Sequence, residues 1–390
     1  MVKLLLSCDE FVYEHNGAYY AANQEKFELF ERYLRIFDRI RLACRCETET
    51  KLKESRVPLA QNPGIEFFPV PMFHGIKDYA RVYFQVGSSL KNVVKGCDAA
   101  LLRVPSTLAL RVGNLVMRSK IPYACEVVYD AEDGWRGYKG LSRLAWKRID
   151  KQMRVLCSKA DGISCVTEHY LQQHYFSLKQ DSFTAHYSSL ALKKEFYGQP
   201  KKYNTKNSIL IAHISQNVGE QSGKGHRQTI EAIKLLKDRG FDVRVKFVGN
   251  DRKGGIEQYK QYGKELGVGN EVQFTGFLNK SDISNLLSDA DIYVMPTKAE
   301  GLPRVIIEAM AKGLPCITTP VSGNPELVGE HFLVDYYDTE TLANRIEELA
   351  SDPQLYEKTS KENYDRSLKY EASVLEKRRD SFYTKLRNRI

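Results

Sequence analysis

Short apolar runs rich in β-branched residues recur along this chain, and almost every one is followed by a longer stretch with helical spacing. That alternation constrains the fold more than any other feature. Strands apolar on both faces need helices on both sides, so the pattern predicts parallel sheets assembled from βαβ units. In the first half the predicted strands are Lys3–Ser7, Ile40–Cys44, Ile65–Pro69, Ala99–Arg103, Tyr123–Val128 and Gly162–Val166. In the second half they are Ser208–Ile214, Val243–Val248, Glu271–Phe274, Ile292–Met295 and Cys316–Thr318. Between the halves lies Glu195–Asn207, a polar segment with Gly198, Pro200 and three lysines that reads as a linker. After Leu349 the pattern is helical and charged to the end. A length of 390 residues exceeds one compact core and suits two domains. The expected architecture is therefore α/β, with Rossmann-like domains over 1–194 and 208–365, a linker over 195–207, and a C-terminal helix over 366–390. Ligands are expected in a cleft between the two domains.

Composition narrows the function classes. The hydrophobic fraction of 42% and charged fraction of 27% are those of an ordinary globular protein. No apolar run approaches the ~20 residues needed to span a bilayer. Met1–Ser7 is too short for a signal-peptide core and reads as the first strand. The eight cysteines, at 8, 44, 46, 97, 125, 157, 165 and 316, show no C-x-x-C spacing and read as buried, reduced thiols of a cytoplasmic protein. A formal net charge of +9 favours anionic partners: a sugar nucleotide, a lipid phosphate or a membrane surface. Without zinc-finger spacing, an RNA-recognition signature or a long basic tail, nucleic acid is not an expected partner.

The most informative stretch is Ala290–Val328, ADIYVMPTKAEGLPRVIIEAMAKGLPCITTPVSGNPELV. A strand ends in a loop carrying Glu300-Gly301-Leu302, and a helix is predicted to open at Pro303, whose missing N–H costs nothing there. Free N–H groups and the positive dipole end make such a helix start a diphosphate site, and Gly301 offers no side chain to obstruct it. Glu308 lies further along the same helix among Ile306, Ile307, Ala309 and Met310, where a carboxylate needs partners.

Glu300 and Glu308 form an E-x7-E pattern, and the segment resembles the nucleotide-sugar domain of family-four retaining glycosyltransferases of the GT-B fold, in particular members that assemble bacterial polysaccharides. The resemblance implies that Glu308 binds the donor ribose and Glu300 the donor sugar, with Gly301, Leu302 and Pro303 at the diphosphate. Ser208–Ile233 resembles the opening strand–loop–helix of that domain, so Lys224, in Lys224-Gly225, is implied to stabilise the departing diphosphate. The family's usual Gly-Arg is absent, and His213 stands near the arginine's place. Gly249 and Asn250, and Phe277, follow strands near which the resemblance puts base and phosphates. Gly323-Asn324-Pro325-Glu326 is similar to a later family turn, where Glu326 is either a helix-start residue or a ligand contact.

Two tempting alternatives fail on spacing. Gly219-x-x-x-Gly223-Lys224-Gly225 is one residue short of a P-loop and has no Ser or Thr after the lysine. Asp289-Ala290-Asp291 leads into a buried strand and reads as a structural cap, so no metal site and no metal or other cofactor is expected.

The first half resembles the family more loosely. Gly17, in the loop after the first strand, is implied to approach the donor phosphates. Arg103–Ser106 follows a strand, Cys125–Asp130 is similar to a strand of the polysaccharide-assembly members, and Tyr187–Leu190 to their turn before the linker. Relatives carry a His or Asp that contacts the donor sugar, for which Asp130 is the first candidate and Glu126 and Asp133 compete; Asp130 also suits a helix cap. Over 141–159 the sequence forms an amphipathic helix with one stripe of Leu141, Ala145, Ile149, Met153 and Leu156 and another of Arg143, Lys147, Lys151 and Arg154. Its basic face suits either solvent or peripheral contact with anionic lipid.

The implied activity is metal-independent, retaining transfer of a sugar from a nucleotide diphosphate donor to a glycan or lipid-linked acceptor, catalysed by Glu300, Lys224 and Asp130. The alternative is a sugar-nucleotide-binding relative that has lost turnover. The C-terminal helix is implied to pack back on the first domain.

Overall fold

The apolar runs become strands because each is flanked by helices that cover it. A computed structural model of the chain describes residues 1–390 except 137–139, 191, 204–207 and 252, and leaves undescribed the side chains of 76, 77, 134–136 and 221. The last four positions of the expected linker, 204–207, thus lie outside the described residues. The chain forms two units, one of Met1–Tyr187 with Glu376–Ile390 and one of Ser188–Leu375.

The first unit holds β1 (Lys3–His15), β2 (Ala18–Ala21), β3 (Arg39–Thr48), β4 (Val57–Pro58), β5 (Ile65–Pro71), β6 (Ala99–Val104), β7 (Tyr123–Val127), β8 (Gly162–Cys165) and β9 (Phe183–His186). The parallel strands run in the order β5-β3-β1-β6-β7-β8-β9. The short strands β2 and β4 add an antiparallel ribbon to the far half of β1. Asn16 and Gly17, both at positive φ, form the two-residue turn between β1 and β2. Gly17 is therefore a hairpin tip, and that turn accounts for the glycine expected to meet donor phosphates.

The second unit holds β10 (Ser208–Val218), β11 (Asp242–Asp251), β12 (Val272–Gly276), β13 (Ile292–Met295) and β14 (Cys316–Thr318). They make one wholly parallel sheet in the order β12-β11-β10-β13-β14. The helix Pro353–Ser367 belongs here: Ser360 Oγ donates to Gly313 O at 2.6 Å, and Asn363 Nδ2 to Leu314 O at 3.1 Å. Only from Glu376 does the tail join the first unit, ten residues later than the expected start at 366.

That tail is pinned by a buried carboxylate. Glu126 Oε1 accepts from the hydroxyls of Tyr187 and Tyr383, each at 2.8 Å, while Oε2 faces Tyr33 OH at 3.1 Å and Arg103 Nε at 3.3 Å. Burial pushes its pKa up, but Arg103, Arg32 and the hydroxyls outweigh burial and hold it below the usual carboxylate range. Phe382 and Leu386 are buried beside it, with Phe382 against the ring of Phe183.

The basic helix spans Gly140–Ser158, and its expected apolar stripe is fully buried only toward the C-terminal end, Ala145 and Ile149 being half-buried. Met153 and Leu156 are buried, whereas Leu141 is 85% and Leu144 64% exposed. Among the described residues no helix is long and apolar enough to cross a membrane. All eight cysteines are free thiols, seven of them buried.

His213 lies in the core of the second unit. It is fully buried, its ring 4.7 Å from that of His226 and 4.8 Å from that of Phe247, and its Nδ1 meets Thr229 Oγ1 at 3.2 Å. Burial holds its pKa well below the ordinary value, and pushes that of His226 down to about 4. His213 is thus neutral and enclosed, and cannot replace the family's arginine as a phosphate-binding cation.

Two outcomes follow. Glu126→Ala leaves Arg103 buried without its countercharge and should lower stability by about 3–5 kcal/mol, measured by denaturant unfolding. The folded His226 stays neutral down to about pH 4, while the unfolded chain protonates below 6.5. Stability should therefore fall as pH drops from 6.5 toward 4, by on the order of 3 kcal/mol from this histidine alone. A His226→Gln variant should show a flatter melting profile between pH 6.5 and 5, and an unchanged slope would contradict the assignment.

Candidate functional site

The chain runs outward from β10 to β11 and β12, then crosses back to place β13 on the other side of β10. Ligands of open α/β sheets bind outside the carboxyl ends of strands where the order reverses in this way. The loops that leave β10 and β13 at that point carry Lys224 and Glu300.

The Lys224 loop is shaped by two glycines. Gly223 and Gly225 both have left-handed φ, at 62° and 70°. A Cβ on Gly225 would lie 2.1 Å from the carbonyl oxygen of Pro296, so only glycine lets this loop lie against the end of β13. Gly225 precedes the helix His226–Asp238, which has no side-chain cap at its start. Lys224 thus projects beside free helix N–H groups. Its Nζ bonds to Glu300 Oε1, to Ala299 O at 3.1 Å and to Thr297 Oγ1 at 3.4 Å.

The Glu300 loop is held from beneath. Thr319 Oγ1 accepts from Thr297 N at 3.1 Å and donates to Thr297 O at 2.6 Å. Thr318 Oγ1 donates to Met295 O at 2.8 Å, and Asn324 Nδ2 bonds to Thr318 Oγ1 at 2.9 Å and to Thr319 O at 3.0 Å. Gly323 N donates to Gly301 O at 3.0 Å, tying the loop to the next turn. Reading the sequence missed this scaffold, although a Thr-Thr pair at a strand end opposite Pro-Thr is a visible signal for it. Glu326 lies in the short helix Asn324–Leu327 that follows.

Helix Arg304–Ala311 begins one residue later than expected, with Pro303 as its uncapped N-cap. Leu302 and Pro303 are buried. Arg304 also escaped the sequence reading: it is exposed at the helix start and has no ion partner among the described residues. A cation there opposes the helix dipole unless an anion joins it. Glu308, half-buried, lies on the same helix. Burial, then Cys316, Glu300 and Glu308, push the Tyr293 hydroxyl well above its usual range.

Other expected contacts are placed as follows. Gly249 lies in β11, and a Cβ there would meet Ser215 O at 2.7 Å. Asn250 is exposed, its Nδ2 donating to Gln216 O at 3.2 Å. Phe277, after β12, is 72% exposed. Asp291 sits at the opposite end of β13, its Oδ2 accepting from Leu210 N at 2.8 Å, which makes it a strand tie. Among the described residues no cluster of His, Cys, Asp and Glu has the spacing to hold a metal.

In the first unit Asp130 and Glu126 are enclosed, and Asp133 is half-buried. Asp130 is fully buried: Oδ1 accepts from Tyr175 OH at 2.7 Å and Glu132 N at 2.9 Å, and Oδ2 meets His174 Nδ1 at 2.8 Å. It caps the helix Ala131–Arg136 and offers no oxygen to a donor sugar, which corrects its expected catalytic role. Glu126 is committed to the tyrosine cluster. Asp133 lies in the first turn of the capped helix.

Comparison with known proteins agrees with this geometry. The Glycosyl transferases group 1 family matches residues 198–366. The chain is 23% identical to Protein CapJ of Staphylococcus aureus over 363 residues, 93% of this chain and 90% of that protein. Putative glycosyltransferase EpsD of Bacillus subtilis (strain 168) is 35% identical over 164 residues, 41% of this chain and 42% of its own length. An Escherichia coli UDP-Gal:alpha-D-GlcNAc-diphosphoundecaprenol alpha-1,3-galactosyltransferase is 35% identical over 79 residues, 20% of each chain. Among solved structures, sucrose-phosphate synthase from Thermosynechococcus elongatus superposes with a TM-score of 0.68 at 15% identity over 100% of both chains. Anabaena Alr3699/HepE in complex with UDP and glucose does so with a TM-score of 0.67 at 17% identity, covering 98% of this chain and 99% of that one. The second unit is therefore a domain of the Glycosyl transferases group 1 family, and the chain as a whole has the GT-B fold.

Proposed function

We propose that this chain is a retaining glycosyltransferase of polysaccharide assembly, moving a sugar from a UDP-sugar to a hydroxyl of a glycan or lipid-linked glycan. The observation that carries the proposal is the meeting of Lys224 and Glu300 from two loops at the β10/β13 strand reversal, each beside an uncapped helix start. In the proposed complex the diphosphate lies across those starts, where backbone N–H groups, Lys224 and Arg304 balance its charge. Glu308 accepts from the ribose hydroxyls. Charge builds on the departing diphosphate as the sugar bond stretches, and Lys224 stabilises it there. Glu300, fixed by Lys224, flanks the cationic sugar rather than attacking it, so the acceptor enters from the face the diphosphate leaves and configuration is retained. With the diphosphate balanced by protein groups, no metal ion takes part.

UDP as the carrier is supported by the bound ligand of Alr3699/HepE, and a lipid-linked acceptor by the name of the galactosyltransferase. A cytoplasmic position, with the exposed Leu141 and Leu144 among basic residues resting on the inner membrane face, fits such an acceptor. The second reading, sugar-nucleotide binding without turnover, is favoured by one observation: neutral, buried His213 supplies no cation where relatives carry arginine.

Incubation with UDP-sugars decides between them. Released UDP and a product with the donor's anomeric configuration by NMR support transfer; UDP binding without turnover selects the second reading, and an inverted product refutes retention. Lys224→Ala should lower kcat about 100-fold with little change in melting temperature. Glu308→Gln should weaken UDP binding by about 1.5–3 kcal/mol in calorimetry. Turnover should persist in EDTA, and a loss restored by manganese would contradict the metal-free scheme.

A further inference from the structure

The first unit has a strand reversal of its own. The chain runs from β1 to β3 and β5 on one side, then crosses to β6 on the other, so the crevice at the carboxyl end of β6, where its pairing with β1 has stopped at Ser7, is the place a ligand would occupy. Asp9 stands at that place. The register of β1 against β3 shifts between Ser7 and Phe11, a bulge that turns Asp9 out of the sheet.

The Asp9 carboxylate is held by one oxygen only. Its Oδ1 accepts from Arg45 Nη2 at 2.6 Å and from Ser106 Oγ, in the loop after β6, at 3.3 Å. No described residue bonds Oδ2, and the side chain is 62% exposed. Arg45 is itself locked. Its guanidinium lies 4.2 Å from the ring centre of Phe11 and 4.9 Å from that of Phe73, and it donates to Phe73 O at 2.9 Å and Asp9 O at 3.0 Å. The neighbouring Glu10 is engaged with Lys26 at 2.7 Å.

From Phe73 a file of rings leads outward along the helix Gly75–Ser89. Phe73 and Tyr79 have centroids 5.0 Å apart, Tyr79 and Tyr83 5.7 Å, and Tyr83 and Phe84 5.5 Å. Arg111 lies 3.9 Å over Tyr83, and Tyr83 and Phe84 end the file exposed. A fixed carboxylate oxygen at one end of a file of rings whose far end is exposed suits an extended carbohydrate, which offers hydroxyl donors at its edge and C–H groups on its face.

We infer that Asp9 binds a hydroxyl of the sugar acceptor, with Tyr83 and Phe84 carrying the more distant part of that acceptor. This rests on the transfer reaction proposed above. Arg45 and Ser106 act as positioning residues for the carboxylate.

The test uses octyl α-D-glucoside, octyl β-D-galactoside and octyl N-acetyl-β-D-glucosaminide as acceptor probes on the full chain, with binding read by saturation-transfer NMR and UDP affinity by calorimetry. Asp9→Asn keeps the shape and one accepting oxygen but removes the charge. The wild type should bind at least one probe; at a temperature where both variants are fully folded, Asp9→Asn should weaken it by about tenfold and Phe84→Ala should weaken it too, with UDP affinity unchanged. No probe binding by the wild type overturns the inference. So does equal binding by Asp9→Asn, or a loss of probe binding matched by an equal loss of UDP affinity. Failure of the wild type to bind UDP would instead sink the donor reading, and leaves the glycoside result to be judged on its own.

Discussion

Lys224 and Glu300 are 76 residues apart, and they meet because β10 and β13 are hydrogen-bonded neighbours. Everything at the candidate site depends on that pairing. The crossing from β12 back to β13 opens a gap outside the strand ends, and the loops on either side of the gap begin the helices His226–Asp238 and Arg304–Ala311. The N–H groups at both starts have no side-chain acceptor, so the backbone itself concentrates positive potential where a diphosphate would lie. The charged side chains refine a field that the topology already creates.

Buried and exposed charges have opposite uses in this chain. Glu126, Asp130 and Arg45 are enclosed, and their bonding capacity is consumed by tyrosine hydroxyls, backbone groups and aromatic faces. Such groups cost much desolvation and are retained where they join separate segments, as Glu126 joins Tyr33, Tyr187 and Tyr383. Lys224, Glu300, Glu308 and Arg304 remain reachable by solvent and stand at strand or helix ends. The enclosed histidines, His213 and His226, are neutral for the same reason of burial, so the positive charge beside the candidate site comes from groups such as Lys224 and Arg304.

The parallel sheets were legible because strands covered on both faces are continuous apolar runs, and Ile292–Met295 and Cys316–Thr318 coincide with their predicted limits. The strand Phe183–His186 was not, because only its first residue is fully buried and the run is short. The hairpin at Asn16-Gly17 was available as an Asn-Gly pair between alternating residues, yet the glycine was read for its family role instead of its turn chemistry. Spacing anticipated that Lys224 and Glu300 emerge in loops and Glu308 on the helix that follows, since strand–loop–helix order fixes where such residues emerge. It misplaced His213 and Asp130, because whether a polar side chain faces a ligand or the core depends on neighbours distant in sequence: Phe247 and His226 for one, Tyr175 and His174 for the other. Asp9 was invisible for a related reason, since a β-bulge and a clamp from Arg45 arise only after the strands pair.

A crystal structure of the protein grown with UDP tests the central claim most directly. The account predicts the diphosphate against the N–H groups that open Arg304–Ala311, within hydrogen-bond reach of Lys224, and the ribose hydroxyls on Glu308. Ordered UDP elsewhere, or a diphosphate at the helix start out of reach of Lys224 and the ribose away from Glu308, would contradict it.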